Sequence, residues 1–158
     1  MVRDRRYWLV KSEPAKYSID DLAAEPGQRA CWDGVRNYQA RNFMRDEMRL
    51  GDGVLFYHSA VQPPGVAGTA RVVREAYPDS TQFDPDSPAY DPRARPDEPR
   101  WWMVDLELTR RFERLIPLAE LRATRGLEAM LLLRRGQRLS VMPVSAEQWR
   151  IILSLADA

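Results

Sequence analysis

The chain has 158 residues, a formal net charge of +1, 44% hydrophobic residues and 30% charged residues. This length fits one domain, and the composition is typical of a folded globular protein and excludes intrinsic disorder. One cysteine and one histidine exclude an intramolecular disulfide and a zinc site of the Cys/His kind, and near-neutral charge argues against tight non-specific binding to duplex DNA.

The sequence favours a cytosolic or nuclear protein, and we predict a cytoplasmic one. The longest apolar run, residues 129–133, is too short to span a bilayer, and residues 1–6 are charged with no signal-peptide core behind them. We therefore expect no membrane contact. We also expect no cofactor, no bound metal and a monomer, although counting residues does not exclude a carboxylate-held magnesium ion.

The first half of the chain predicts two strands that enclose two helices, with a strand at 7–11, helices at 18–25 and 38–48, and a strand at 54–59. Ser18 and Asn37 are the expected N-caps. Between the two helices, residues 31–38 form a loop around the turn pair Asp33 and Gly34.

The second half predicts strands at 66–75, 101–112 and 138–141, and helices at 118–122, 127–134 and 145–156. Gly68 would mark a bulge or a close approach of two backbones. Residues 78–100 contain six prolines in 23 residues, and a loop of that length is usually a lid or disordered. Five short strands mixed with short helices favour an α+β fold, a curved mixed sheet that closes toward a barrel, over a doubly wound one.

Four short polar and aromatic segments follow apolar runs, at residues 11–13, 32–38, 57–59 and 138–140. Strand ends and the loops beyond them are where binding sites are usually built. An aromatic ring together with hydroxyl, amide and cationic donors is suited to hold a flat heterocycle, because the ring stacks and the polar groups contact its edge.

Each of these features also has a purely structural interpretation. Trp32 could be a core ring, His58 a half-buried histidine with a satisfied ring, and Asn37 a helix cap. A catalytic pair of His58 with Cys31 or a serine is conceivable, but the sequence contains no G-x-S-x-G motif and no phosphate-binding loop. We predict no catalytic residue and keep a base-processing hydrolase that uses His58 as the alternative.

Several long motifs resemble the EVE-domain family. They run in order along the chain as YWLVKSEP (7–14), YSIDDL (17–22), WDGVRNYQARNFMR (32–45), GDGVLFYHS (51–59), GVAGTARVV (65–73), YPD (77–79) and GQRLSVMPV (136–144). The resemblance implies a single EVE domain over residues 1–158. It also implies a PUA-like pseudo-barrel of five to six strands with peripheral short helices, related to the YTH and SRA-type readers of modified bases.

By this resemblance the protein is a non-catalytic reader of a modified base, such as 5-methylcytosine, with DNA favoured over RNA as the partner. A reader of modified RNA is the alternative. The implied pocket consists of Lys11, Ser12, Trp32, Arg36, Asn37, Tyr57, His58, Ser59, Arg138 and Ser140.

The resemblance suggests three kinds of role in this pocket. Stacking on the base is expected from Trp32 and Tyr57. Hydrogen bonds to the base edge are expected from Ser12, Asn37 and Ser59. Contacts to a phosphate or an edge carbonyl are expected from Lys11, Arg36 and Arg138.

Overall fold

The computed structural model describes residues 4–158, so the charged segment 1–6, interpreted above as lacking a signal peptide, lies partly outside the described residues. Six strands form one sheet, namely β1 (Tyr7–Ser12), β2 (Arg29–Cys31), β3 (Gly53–His58), β4 (Gly65–Pro78), β5 (Trp102–Pro117) and β6 (Val141–Val144). Their spatial order is β2-β5-β4-β3-β1-β6. Strands β1 and β3 pair in parallel, and the other neighbours pair antiparallel. This mixed sheet confirms the α+β prediction.

Short helices connect and flank the strands, namely α1 (Ile19–Ala24), α2 (Tyr38–Asn42), α3 (Leu118–Arg122) and α4 (Ala146–Asp157). Helix α2 continues as a π-helix over Phe43–Glu47, which together cover nearly the whole predicted helix at 38–48. Helices α1 and α4 both begin with a capping box, at Ser18 and Ser145, in which two backbone N–H groups are satisfied reciprocally.

The parallel pair β1 and β3 is deeply buried. Trp8, Leu9 and Val10 of β1 have no exposed surface, and β3 is equally buried from Val54 to Phe56. A strand that is covered on both faces forms a continuous apolar run, which is how both segments read in the sequence. The polar residues that follow each run therefore emerge together at one end of the parallel pair.

Two glycines allow β4 to lie close against β5. A Cβ atom at Gly68 would lie 2.2 Å from the carbonyl oxygen of Arg110, and one at Gly65 would lie 2.2 Å from that of Ile116. The pairing of β4 with β5 also shifts register beside Gly68. The prediction that Gly68 marks a bulge and a close backbone approach is confirmed.

Two predicted elements near the C-terminus are wrong. The helix at 127–134 is instead a series of turns with one 3-10 turn at Leu131–Leu133, because Met130 and Arg134 adopt extended backbone. The strand at 138–141 lies three residues later, at Val141–Val144, and includes Pro143. That strand is at the sheet edge, where a proline costs no ladder hydrogen bond on the open side.

The proline-rich segment 78–100 packs against the body of the protein, so of the two predicted alternatives, a lid or a disordered loop, the disordered one is wrong. It contains a 3-10 turn at Ser80–Phe83, and the fully buried Gln82 side chain donates to the carbonyl oxygens of Asp79 and Trp101 at 2.7 and 2.8 Å. Trp101 is itself buried, and its indole N–H donates to Asp91 at 2.8 Å.

Candidate functional site

A cavity of about 630 Å³ lies where β1 ends, between that strand end, β2 and the loop after β2. Its size is within the range of small-molecule sites. The lining residues are Lys11, Ser12, Glu13, Lys16, Tyr17, Glu25, Ala30, Cys31, Trp32, Asp33, Gly34, Val35, Arg36 and Ser140. The cavity is thus built from strand ends and their loops, as the position of the polar segments predicts.

The structure brings half of the ten predicted pocket residues to this cavity. Lys11, Ser12, Trp32, Arg36 and Ser140 line it. The N–H of Lys11 donates to the carbonyl oxygen of Ser140 at 2.9 Å, which holds two of these walls together.

The other five predicted residues lie outside the lining. On β3, Tyr57 pairs with Lys11 and His58 with Ser12, so both stand one strand away from the cavity wall. Tyr57 is only 3% exposed, which makes it a core residue. The N–H of Ser59 donates to the carbonyl oxygen of Ser12 at 2.9 Å.

Asn37 and Arg138 complete this second group. The Asn37 side chain accepts a hydrogen bond from the N–H of Ala40 at 2.9 Å and caps α2, as its structural interpretation predicts. Arg138 is exposed on the loop that leads to Ser140.

The imidazole of His58 is engaged by the protein's own backbone. Its Nε2 atom accepts from the N–H of Ile19, at the first turn of α1, at 3.1 Å. Burial lowers the pKa of His58, so the ring is neutral at neutral pH. A general base needs a free lone pair that faces the substrate, and this Nε2 lone pair already holds a helix N-terminus. The geometry gives no support to a hydrolase that acts through His58.

Trp32 belongs to both the core and the cavity wall. It is 7% exposed, and its ring packs edge-on against Phe56 and Tyr17, with centroids 5.4 and 6.2 Å away. Its backbone N–H donates to the carbonyl oxygen of Val104 at 2.8 Å, which ties the start of the loop to β5. Trp32 is therefore both a core ring and a ring of the cavity wall, because packing in the core fixes the ring that lines the cavity.

Arg36 lines the cavity, but its guanidinium is saturated by internal acceptors. Its N–H groups donate to the carbonyl oxygens of Val35 and Ala89, to the carboxylate of Asp79 and to the hydroxyl of Thr81, at 2.8 to 3.1 Å. These five bonds use all five donors of the side chain. Arg36 therefore shapes the wall, and no donor remains for a phosphate.

Asp79 is the fully buried partner that anchors this wall. It accepts from the N–H of Gly34 at 2.8 Å, from Arg36 at 3.1 Å, and from the N–H and hydroxyl of Thr81 at 2.8 and 2.5 Å. Burial disfavours its charge, but the hydrogen bonds from Thr81, Gly34 and Arg36 outweigh burial and lower the pKa of Asp79. The loop after β2 is thus attached to the proline-rich segment through one carboxylate.

The predicted pocket lacked several lining residues that carry functional groups, namely Glu13, Lys16, Tyr17, Glu25, Cys31 and Asp33. The Tyr17 hydroxyl is buried and has no hydrogen-bond partner among residues 4–158. Burial and the nearby acidic residues Glu25 and Asp21 raise the pKa of Tyr17 to about 12. Tyr17 and Asp33 both lie in the family-like motifs, which was the available signal.

Among the charged residues that line the cavity, Lys11 and Asp33 have opposite charges and form no ion pair within residues 4–158. Lys11 is half-buried, which lowers its pKa, and in the described part of the chain no carboxylate lies within 4.0 Å of its ammonium group. Burial and the neighbouring Asp79 raise the pKa of Asp33. The cavity therefore offers a cationic donor, a carboxylate acceptor and the side of an indole ring, which together suit a flat polar ring.

Within residues 4–158, no group of three or more histidine, cysteine or acidic side chains is arranged to hold a metal ion. None of the helices formed by these residues has both the length and the apolar character that crossing a membrane would require.

Known proteins and solved structures resemble this chain along nearly its whole length. Human thymocyte nuclear protein 1 is 49% identical over 96% of this chain and 74% of its own length. The crystal structure of human THYN1 protein in complex with 5-methylcytosine-containing DNA superposes with a TM-score of 0.91, at 46% identity over 97% of this chain and 98% of that one. A hypothetical protein from Leishmania major gives a TM-score of 0.92, at 49% identity over 98% and 96%.

These neighbours share the six-stranded α+β architecture, and with it the PUA-like fold that the motifs imply. The sequence model of the EVE domain family matches residues 6–155 of this chain. The chain belongs to the EVE domain family.

Proposed function

We propose that this protein is a non-catalytic nucleic-acid-binding module that holds one modified base, with 5-methylcytosine in DNA as the favoured ligand, in the cavity at the end of β1. The observation that carries the proposal is the cavity itself, in which Trp32 stands beside the little-engaged charges of Lys11 and Asp33. The complex of human THYN1 protein with 5-methylcytosine-containing DNA supports it, because that protein shares the fold at 46% identity.

The energetics favour recognition of a base that leaves the stack. Extruding a base from a duplex costs a few kcal/mol, and stacking on an aromatic side chain returns roughly 1–3 kcal/mol per base. The remaining stabilisation must come from contacts to the base edge and its modification. An unmodified base lacks the last of these contributions, so it should bind more weakly.

The charges in the cavity favour cytosine over thymine. Cytosine presents an amino group and two acceptors along its pairing edge, whereas thymine presents a carbonyl oxygen in place of the amine. The Asp33 carboxylate is suited to accept from the amine, and the Lys11 ammonium to donate to a ring acceptor. A thymine carbonyl would instead face a carboxylate, which repels it.

A binding titration tests the function. Purified protein is titrated with matched oligonucleotides that carry cytosine, 5-methylcytosine, 5-hydroxymethylcytosine or N6-methyladenine, as DNA and as RNA, at two salt concentrations. We expect at least a tenfold gain for one modified DNA base over its unmodified match, about 1.4 kcal/mol. Equal binding to every base would contradict the proposal, and a larger gain on RNA would make the ligand a modified RNA.

Asp33→Asn sharpens the test, because 5-methylcytosine and thymine differ only along the pairing edge. The asparagine amide can donate as well as accept, so the preference for 5-methylcytosine over thymine should fall in this variant. Asp97→Asn is the matched control, since Asp97 is exposed, pairs with Arg95 at 3.0 Å and does not line the cavity. Unchanged discrimination in Asp33→Asn would exclude this carboxylate from the base edge.

A further inference from the structure

A second feature of the surface lies beside the cavity, in the loop that runs from the end of α3 to β6. Residues 122–138, here called the arginine loop, contain five arginines and one glutamate, a formal net charge of +4 in a chain of +1. The five are Arg122, Arg125, Arg134, Arg135 and Arg138, and all are exposed.

None of the five arginines of the arginine loop takes part in an ion pair within residues 4–158, where no carboxylate lies within 4.0 Å of their guanidinium groups. Other exposed arginines do have such partners, as in the pairs Arg114–Glu120 and Arg110–Asp157, both at 2.7 Å. The positive charge of the loop is therefore not neutralised from within the chain.

The fold directs these side chains outward. Leu127, Met130, Leu132 and Leu139 are at most 7% exposed and fix the loop to the core. Successive turns connect these buried residues, through hydrogen bonds such as that from the N–H of Met130 to the carbonyl oxygen of Leu127 at 2.9 Å. Because the apolar side chains of the loop point inward, the arginines between them remain on the surface.

The arginine loop is also joined to the cavity. It leads directly to Ser140, which lines the cavity wall and accepts from the N–H of Lys11 at 2.9 Å. At its other end, Arg122 donates to the carbonyl oxygen of Leu133 at 3.3 Å and lies close enough to Tyr57 to lower the pKa of that phenol, against the raising effect of burial. The charge thus stands next to the strand ends that form the site.

We propose that the arginine loop binds the phosphodiester backbone of the nucleic acid whose base occupies the cavity, an inference that rests on the proposed function. Guanidinium groups bind phosphates through paired N–H donors, and such contacts give affinity without sequence preference. In this arrangement the cavity provides specificity for the base, and the arginine loop provides affinity for the strand. It also shows how a nearly neutral protein binds a polyanion, since the charge is concentrated at one place.

An anionic membrane is the other surface that attracts arginines, and the structure argues against it. Segments that bind at a membrane interface insert exposed apolar side chains between the lipids. In the arginine loop Leu127, Met130 and Leu132 are buried, and Leu131 and Leu133 are half-buried against the core, so no large apolar side chain of the loop is exposed for insertion.

The experiment measures how binding depends on salt. The affinity of the whole protein for a duplex that carries 5-methylcytosine, and for the unmodified duplex, is determined at several NaCl concentrations. For Arg134→Gln/Arg135→Gln we expect a slope of log K against log salt that is shallower by about 1.8, because each duplex phosphate contact contributes about 0.9. Affinity should fall by the same factor for both duplexes, and the preference for the modified base should remain.

A control variant loses two positive charges outside the arginine loop. Arg45 is half-buried and Arg150 is exposed, each pairs with a nearby acid, and neither lies on an element that lines the cavity. Arg45→Gln/Arg150→Gln should keep the slope of the parent protein. Arg125→Gln/Arg138→Gln, a second pair in the arginine loop, should reproduce the shallower slope, and a thermal melt of each variant checks that it is folded.

The outcomes separate the two proposals. If the parent protein shows no preference for a modified base, the proposed function fails. If that preference is present but both loop variants keep the parental slope, the arginine-loop proposal is overturned. It is overturned as well if vesicles of anionic phospholipid bind the parent protein more tightly than the duplex does and the loop variants lose that binding.

Discussion

Arg36 and Arg138 carry the same charge but have opposite surroundings. Every N–H group of the Arg36 side chain donates to an acceptor of the same chain. Through its bond to Asp79, Arg36 joins the loop after β2 to the proline-rich segment. Arg138 lies in the arginine loop, exposed and without an ion pair in the described residues. A saturated guanidinium maintains geometry, whereas an unsaturated one is available to a partner. Arginine can therefore serve stability in one family motif, at 32–45, and binding in another, at 136–144.

The largest effect on stability should come from removing Asp79, the buried carboxylate that accepts from Arg36. Asp79→Ala removes a fully buried carboxylate that is the shared acceptor of Arg36 and of the N–H groups of Gly34 and Thr81. Breaking a buried charged pair by removing one partner typically costs about 3–5 kcal/mol, so the free energy of unfolding should fall by about that much. Chemical denaturation measures the change, with Asp97→Ala as the exposed control. A loss below 1 kcal/mol, on the order of a single ordinary hydrogen bond, would contradict it.

A smaller loss is expected when the arginine of the same pair is replaced. Arg36→Gln removes hydrogen bonds to a charged group, which are worth about 1.5–3 kcal/mol, but the side chain is 23% exposed and water can replace part of them. The free energy of unfolding should therefore fall by less than in Asp79→Ala. A double-mutant cycle of the two variants measures their coupling, and fully additive losses would show that the pair does not act as one unit.

Acid should weaken the fold in two steps. Burial holds the pKa of His58 below the ordinary histidine value of about 6.5, so the unfolded chain takes up its proton first and stability falls as the pH drops below about 6.5. The pKa of Asp79 is lowered below 3.8, so its stabilisation is lost only as the pH falls further, through its folded pKa. Denaturation curves across pH 7 to 3 test this, and the first step should vanish in His58→Asn.

The smallest change in stability is expected in the arginine loop, where the guanidinium groups have no ion pairs within residues 4–158. Arg138→Gln removes no ion pair, so the free energy of unfolding should stay within about 0.5 kcal/mol of the parent value. Affinity for a duplex should nevertheless decrease. Parallel melts and titrations of this variant and Arg36→Gln compare the two regions directly, and a strong destabilisation by Arg138→Gln would remove the contrast between them.

Much of the fold could be predicted from the sequence because its signals are local. The apolar runs at β1 and β3, the caps at Ser18 and Ser145 and the constraint at Gly68 each depend on a few neighbouring residues. The wrong helix at 127–134 shows the limit of such signals. Leu127, Met130 and Leu132 are buried by tertiary packing in successive turns, a pattern that helical periodicity does not distinguish.

The site was only partly predictable because its partners are distant in sequence. The motifs indicated Lys11, Trp32 and Ser140 correctly as neighbours of one cavity. They could not show that Arg36 is saturated by Asp79 and Ala89, which lie 43 and 53 residues away. The unpartnered hydroxyl of Tyr17 likewise depends on the packing around it, and not on its motif.

Cys31 gives the cavity a built-in reporter. It is the one cysteine of the chain, it is exposed, and it lines the cavity beside Trp32. Although the residue is exposed, partial desolvation of its thiol and the nearby Asp33 and Asp105 raise the pKa of this thiol, so alkylation should be slow at neutral pH and faster in alkaline buffer, where the thiolate forms. A fluorescent maleimide would then mark a single position without any engineered cysteine. Its emission, or the protection of the thiol from alkylation, would follow occupancy of the cavity in real time.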